Sequence, residues 1–177
     1  SKVQISTVKS NLIHGDLPLG GFGMSRYFLD NLMANKAISN GVTIVKDSVD
    51  SVDFEEESFT VQTNKSGIFY SKINIGAFGK RSALDVKMNR KFIQKKSPYL
   101  AVKTHVKGDF PENLVGLHNF KGGYCGVSKV ENDSINLCYI TSYSSFQKHK
   151  NLTEFQEKVV FKNKYLQKIF KESKAVF

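Results

Sequence analysis

The chain has 177 residues and a mass of 19.9 kDa, which suffices for one ordinary domain or two small lobes with a sizeable core. Its 40% hydrophobic and 24% charged residues fit a folded soluble protein and exclude a disordered or fibrous one. No apolar run of about 18 residues is present, so we expect no membrane span, and residues 1–16 lack the apolar stretch of a signal peptide. Cys125 and Cys138 are too few for a disulfide framework and predict reduced thiols in a cytoplasmic protein.

The charge is strongly positive. Lys and Arg number 26 against 16 Asp and Glu, a net charge of +10, which makes nucleic acid, anionic lipid and anionic ligands the partner classes to weigh. The lysines form only two loose clusters, at 87–96 and at 158–174. No aromatic RNA-binding strand, zinc-ligand spacing or recognition-helix pattern accompanies them, so we expect no nucleic-acid binding.

The first elements are a strand and a helix. Alternation predicts a strand over 2–9, and a glycine-rich stretch over 19–24 follows it. Ser25 is a plausible N-cap, because its hydroxyl can accept from free N–H groups of the first helical turn. Apolar residues at helical spacing predict a helix over 26–40, which Asn40-Gly41 ends.

A short sheet region follows the helix. The β-branched run 42–45 predicts a strand covered on both faces. Three short strands separated by polar turns predict an antiparallel meander, at 49–54, 59–63 and 68–71. Residues 73–77 predict one more buried strand, which runs into the segment Phe78–Ser82.

The second half is predicted to be antiparallel. After a basic connector over 83–98, four strands are expected, at 99–106, 114–120, 124–130 and 134–141. Thr153 and Gln156 have the spacing of a capping box, so one long or two short helices are expected from there to the end. The predicted fold class is α+β.

The stretch Gly20–Gly23 is the first candidate for chemistry. It is not a dinucleotide fingerprint, because Arg26 stands where that motif requires glycine, and it lacks the Gly-Lys-Ser/Thr of a P-loop. Two interpretations stay open. The stretch is a turn before a helix, or its N–H groups, the helix N-terminus and Arg26 face an anion.

No side chain is predicted to act as an acid, base, nucleophile or metal ligand. The four histidines show no ligand spacing, and His105 and His118 fall within strands, where a hydrogen-bonded or exposed histidine is expected. An enzyme of this composition would leave its chemistry to a cofactor. The segment Gly76–Ser82 directly follows a predicted strand, where glycines allow a ligand to approach the backbone or form a plain turn.

Three motifs in this order carry a family resemblance: Arg26, Leu29, Asp30 and Leu32 in the helix, then Ile75-Gly76-Ala77-x-Gly79-x-x-Ser82, and later Gly122-Gly123-Tyr124-Cys125-Gly126. The sequence over about 1–141 resembles the middle section of FAD-dependent oxidoreductases of the aromatic-hydroxylase and geranylgeranyl-reductase superfamily. The family's strand–GxGxxG–helix and its Gly-Asp flavin motif have no counterpart in the 177 residues.

The resemblance implies an internal fragment of such an enzyme, reductase or monooxygenase in type, with NAD(P)H as a possible electron donor and a small, hydrophobic or aromatic substrate. Residues 1–24 would be a strand and loop from the substrate side, 25–82 the α/β remnant of the FAD-binding domain, and 83–177 the antiparallel substrate-domain sheet with its helices. The remainder of the parent chain would be its partner, and the fragment alone is expected to be inactive.

The resemblance also assigns site residues. Gly21, Gly23 and Arg26 would lie near the ribose and pyrophosphate of FAD and Val49 near the adenine, while Ala77 and Gly79 match a second flavin motif and Tyr124 would line the substrate side. Phe78 replaces that motif's Asp, and Gly126 and Ser128 stand where the reductases have Trp and Phe. The alternative hypothesis is a non-enzymatic basic α+β module that binds an anionic partner.

Overall fold

The computed structural model describes residues 1–79 and 82–176, which form two compact units of an α+β protein, as predicted. Unit 1 combines 1–33 with 97–177, and unit 2 comprises 34–96. Lys80 and Arg81 of the motif Gly76–Ser82 lie outside the described residues. The sequence-based division at residues 24 and 82 stays a prediction.

A sheet of seven strands forms the centre of unit 1. The strands are β1 Lys2–Ser6, β2 Leu12–Asp16, β6 Tyr99–Lys107, β7 Leu114–Phe120, β8 Gly123–Val130, β9 Ser134–Ser142 and β10 Lys174–Ala175. They lie in the order β10-β6-β9-β8-β7-β1-β2. The antiparallel prediction is confirmed, because β6, β9, β8 and β7 pair antiparallel in that order. The turns at Gly122 and at Asn132-Asp133 have positive φ, which suits glycine, asparagine and aspartate.

The first strand is shorter than predicted. It ends at Ser6 instead of residue 9, because Thr7 to Asn11 form a turn in which Ser10 has a φ of 64° and Thr7 N donates to Asn11 O at 2.9 Å. The sequence pattern missed β2, which pairs antiparallel with β1 after this turn. On its other side β1 pairs with β7, in parallel, from Lys2 beside Leu114 to Ser6 beside His118.

Helices cover one face of this sheet. Alternate residues of β8 and β9 point to that face, where Val127, Leu137 and Tyr139 pack with Phe155 and Leu166 of the helices. The helices are α3 Tyr143–Phe146, α4 Leu152–Lys158 and α5 Lys164–Glu172, with a 3-10 turn at Val160–Lys162. Two short helices at the end of the chain were among the predicted alternatives, whereas α3 and β10 were not foreseen.

The cap of α4 corrects the sequence prediction. Asn151, not Thr153, is the N-cap, and its side chain accepts from Glu154 N at 2.9 Å. Glu154 Oε2 reaches back to Lys150 N at 2.7 Å. Asparagine is as good an N-cap as serine or threonine. The spacing of Thr153 and Gln156 therefore resembles a capping box although the helix begins after Asn151.

A buried polar cluster joins the two ends of unit 1. Asn163 caps α5 with its Oδ1, and this orients its Nδ2 toward Ser6 Oγ at 2.6 Å and Asn119 O at 3.0 Å. Ser6 Oγ lies 2.9 Å from His118 Nδ1, and Ser6, His118 and Asn163 are fully buried. Burial strengthens each of these hydrogen bonds and makes the loss of any one costly. The cluster therefore holds β1, β7 and α5 in one relative position.

Unit 2 contains the predicted antiparallel meander, with β3 Val49–Glu55, β4 Ser58–Thr63 and β5 Ile68–Ser71. Asp47 closes it, because its Oδ2 accepts from Lys65 N at 2.8 Å and Ser66 N at 2.7 Å. The predicted connector over 83–98 is partly helical, with α2 at Ala83–Lys87 and a 3-10 turn at Lys91–Gln94.

Helix α1 spans Arg26–Ser39, which confirms the predicted helix. Ser25 Oγ accepts from Phe28 N at 3.0 Å, as expected of the N-cap. At the other end, Gly41 has a φ of 85° and Val42 N donates to Ala37 O at 3.1 Å, the closing bond of a Schellman motif.

Two predicted strands are wrong. The segments 42–45 and 73–77 have no strand structure, because no described segment pairs with either of them. Their side chains are not covered on both faces, since Val42 is 53% exposed, Ile73 77% and Ile75 82%. The β-branched composition is right for a strand, but a strand also requires a neighbour that accepts and donates its hydrogen bonds.

Replacement of Asn163 by alanine is expected to lower the free energy of unfolding by about 3 kcal/mol, because it removes a helix cap and leaves buried acceptors unsatisfied. Asn151→Ala, which removes only an exposed cap, is expected to cost about 1 kcal/mol. Urea unfolding of both variants measures the difference. Equal losses would contradict the role assigned to the cluster.

The stability of unit 1 is expected to fall as the pH is lowered from 6.5 to about 4. Burial lowers the pKa of His118 from 6.5 to about 4, so in this window the unfolded chain binds a proton that the folded chain does not. The free energy of unfolding, measured across this range, should decline more steeply in wild type than in His118→Gln, because glutamine does not titrate. An unchanged slope in the variant would exclude His118 as its source.

Candidate functional site

The glycine-rich stretch forms a loop against the end of β8. A Cβ on Gly23 would lie 1.7 Å from the carbonyl oxygen of Lys129, so this position admits only glycine without movement of the backbone. Gly21 differs, because nothing lies within 4 Å of a Cβ built there. Of the two predicted FAD-contacting glycines, Gly23 therefore has a packing role of its own, and Gly21 is open to a ligand.

The N-terminus of α1 is held by a carboxylate from the β8–β9 turn. Glu131 Oε2 accepts from Ser25 N at 2.8 Å, and the hydrogen bonds from Ser25 lower the pKa of Glu131. Arg26 is exposed and its Nε donates to Asp30 at 2.7 Å, one helical turn on. The sequence indicated Ser25 and Arg26, but a turn residue more than a hundred positions away has no local signal and Glu131 was missed.

Gly21 and Gly23 line a pocket of about 400 Å³ with an acidic wall. Glu112, Glu131 and Asp133 face it, and Lys129 is the cation of the lining, paired with Asp133. Such a lining does not attract a phosphate. An anion at this end of unit 1 would meet the exposed guanidinium of Arg26 instead.

Tyr124 lies on the sheet face that the helices leave free. Cross-strand register places Leu117, Gly126 and Cys138 side by side on it, with Tyr124 beside Ile140. We call this set the Tyr124 face. It is partly exposed, with Tyr124 at 47%, and Gly126 adds no side chain to its centre.

The two cysteines occupy opposite faces of this sheet and are free thiols. Cys125 is fully buried on the helix side, where burial raises its pKa to about 12, while Cys138 is exposed. A thiol so hard to ionise is no nucleophile. Within 1–79 and 82–176, no group of three His, Cys, Asp or Glu residues could hold a metal, and no helix is long and apolar enough to cross a membrane.

Unit 2 holds the other predicted cofactor residues. Val49 lines a pocket of about 230 Å³ together with Gly76, Phe78 and Met88. The Phe78 ring lies against Gly76, where an added Cβ would be 2.9 Å from the ring edge, so a larger residue there would displace the partly exposed Phe78 side chain. Ala77 and Gly79 flank Phe78 in the chain, and Gly79 has a φ of 74° with open space around it.

The site residues thus fall into two groups. Gly21, Gly23, Arg26 and Tyr124 belong to unit 1, and Val49, Ala77 and Gly79 belong to unit 2. Their assignment to FAD and substrate stays a prediction.

No protein-family model and no curated protein matches the sequence, but solved structures match the fold over 99% of the chain. They include the flavin-dependent brominase Bmp2 (TM-score 0.72, 16% identity) and halogenase PltM in complex with phloroglucinol and FAD (0.77, 13%). A geranylgeranyl bacteriochlorophyll reductase-like protein from Thermoplasma acidophilum matches with a TM-score of 0.73 and 15% identity.

The chain spans less than half the length of these structures: 48% of the brominase, 42% of the halogenase and 47% of the reductase-like protein. At such low identities the similarity shows the fold. The resemblance found in the sequence is therefore confirmed at that level, because the 177 residues have the fold of part of these flavin-dependent and reductase-like proteins.

Gly23→Ala is expected to destabilise unit 1, because the added methyl would overlap the Lys129 carbonyl and force the loop away from β8. Gly21→Ala is the matched control, with open space for the methyl, and is expected to change stability by less than about 0.5 kcal/mol. Thermal unfolding of the two variants compares them. Equal midpoints would show that the loop does not pack as described.

Proposed function

We propose that the 177 residues are the middle part of a FAD-dependent oxidoreductase, of reductase or monooxygenase type. The observation that carries the proposal is the fold match over 99% of the chain to proteins that include flavin-dependent enzymes of about twice its length. The three motifs that resemble the FAD-dependent family follow one another in the expected order, which supports the same conclusion independently of the fold.

Uncovered apolar surface supports the view that the chain is a piece of a larger enzyme. Helix α1 has no buried residue, and even its apolar side chains are uncovered: Tyr27 is 86% exposed and Met33 61%. The segments 42–45 and 73–77 likewise expose β-branched side chains without pairing. Large uncovered apolar surface on a soluble protein marks an interaction site, so in each unit we assign these side chains to contact with the remainder of the parent chain.

The residues present fit the phosphate groups of FAD at two places. In unit 1, the hydrogen bond that the described residues give the Arg26 side chain runs from its Nε to Asp30, so the exposed guanidinium can still turn its terminal nitrogens to a phosphate. Gly21 leaves room for close approach. In unit 2, the positive φ and open surroundings of Gly79 provide a second accessible backbone. We assign FAD contacts to Arg26, Gly21, Gly23, Val49, Ala77 and Gly79, with the pyrophosphate on Arg26 and not in the acidic pocket.

FAD, when bound, would supply the redox chemistry, with NAD(P)H as the electron donor. The chain's own residues would position the substrate and exclude water. We assign the substrate to the Tyr124 face, where Leu117, Tyr124 and Ile140 offer apolar contacts and Gly126 leaves room, which suits a small hydrophobic or aromatic molecule. Two free thiols, Cys138 being exposed, fit a reducing cytoplasmic location.

The full-length parent protein is expected to purify with one equivalent of FAD, whereas the isolated 177 residues are expected to bind it weakly or not at all. Denaturation followed by chromatography of the released flavin measures both. A parent without flavin, or without a GxGxxG motif upstream of Ser1, would favour the basic binding module instead. A yellow preparation of the isolated 177 residues with one equivalent of FAD would contradict the expectation that they bind FAD weakly or not at all.

In the full-length protein, Arg26→Gln is expected to weaken FAD binding about tenfold or more, because a charge-assisted hydrogen bond to phosphate contributes about 1.5–3 kcal/mol. Lys36→Gln, at the other end of the same helix, removes an equal charge and is expected to leave the affinity unchanged. Flavin fluorescence titration of the apoprotein gives both dissociation constants. Equal weakening by the two variants would count against the assignment of Arg26.

A further inference from the structure

The outer surface of α5 is a stripe of lysines. Lys164, Lys168 and Lys171 follow one another at the i, i+4, i+7 spacing that places side chains on one helical face. Leu166 is fully buried in the core on the opposite side, with Ile169 packed against it. The core therefore fixes which way α5 faces, and the three ammonium groups point to solvent together.

Two more exposed lysines flank the helix in the chain. Lys162 precedes α5 and Lys174 follows it in β10, and all five lysines, which we call the α5 lysines, are exposed. Residues 148–174 carry eight lysines against three glutamates, so half of the net charge of +10 is contributed by this segment.

Little of this charge is neutralised within the described chain. Glu172 lies 4.0 Å from Lys168, an exposed pair of small energetic value. In the described ranges, Lys162, Lys164, Lys171 and Lys174 have no ion pair. A dense group of unpaired cations repels itself unless a partner of opposite charge covers it, so the surface is complementary to an extended anion.

The chemistry of the stripe favours a lipid surface over nucleic acid. It contains no arginine, the residue that reads bases and phosphates by paired hydrogen bonds. Its aromatic neighbours are half-buried, Tyr165 stacked on His118 and Phe170 packed against the core, so neither presents a free ring to stack on bases. Clusters of four to eight lysines on an amphipathic helix are typical of sites for anionic lipid headgroups, where each lysine contributes through diffuse charge.

We propose that the α5 lysines adsorb this protein to an anionic membrane surface. Helix α5 covers the sheet face opposite to the Tyr124 face, so adsorption through α5 leaves the Tyr124 face uncovered. The membrane contact is peripheral and electrostatic. It does not depend on flavin binding, and it adds a location to the proposed enzyme without altering its chemistry.

The test is vesicle co-sedimentation of the full-length protein. Wild type is expected to bind vesicles that contain phosphatidylserine with phosphatidylcholine, but not vesicles of phosphatidylcholine alone. Added salt is expected to release the bound protein. The triple variant Lys164→Glu, Lys168→Glu, Lys171→Glu is expected to bind at least about a hundredfold more weakly, since each lysine near an anionic bilayer strengthens binding about fivefold. All three positions are exposed, so folding is preserved.

A matched triple variant controls for net charge. Lys91→Glu, Lys95→Glu and Lys96→Glu make the same charge change at exposed positions of unit 2 and are expected to retain vesicle binding. Equal loss in both triple variants, or no binding by wild type, would overturn the proposal. Tighter binding of wild type to duplex DNA than to the vesicles would also overturn it. Flavin content reports separately on the proposed function and should be the same in all three proteins.

Discussion

Unit 1 depends on the hydrogen-bonded cluster of Ser6, His118 and Asn163. These three residues come from the first strand, the middle of the sheet and the last helix, and each of them is fully buried. Asn163 satisfies both the first amides of α5 and the polar groups of β1 and β7. A buried amide can only do this when every partner is in place, so the cluster admits a single arrangement of strand, sheet and helix.

That arrangement produces the two faces of unit 1 to which we assign functions. With α5 fixed on one side, its lysines point outward and the opposite side of the sheet keeps Tyr124 and Gly126 accessible. Successive side chains of a strand point to opposite faces of the sheet, so every residue of β8 that does not face the helices lies on the Tyr124 face. The proposed substrate face and the proposed membrane surface thus both follow from the packing of α5 on one side of the sheet.

The sequence predicted those features that depend on neighbours in the chain. The meander, the strands from Tyr99 to Ser142 and the helix after Ser25 follow from alternation, turns and caps within a few residues. The failures depend on distant partners. Residues 42–45 have the composition of a strand, but no described segment pairs with them, and Glu131 reaches Ser25 from another turn. The α5 stripe was visible only as a loose cluster, since only burial of Leu166 defines its outer side.

The parallel pairing of β1 with β7 has a consequence for how the chain is assembled during synthesis. More than a hundred residues separate the paired strands, and unit 2 lies between them. Residues 2–6 therefore emerge from the ribosome long before their central partner exists, and the loop that must close is long. Until β7 and then α5 are made, the first strand has only the β1–β2 hairpin, so unit 1 is completed only after all of unit 2 has been synthesised.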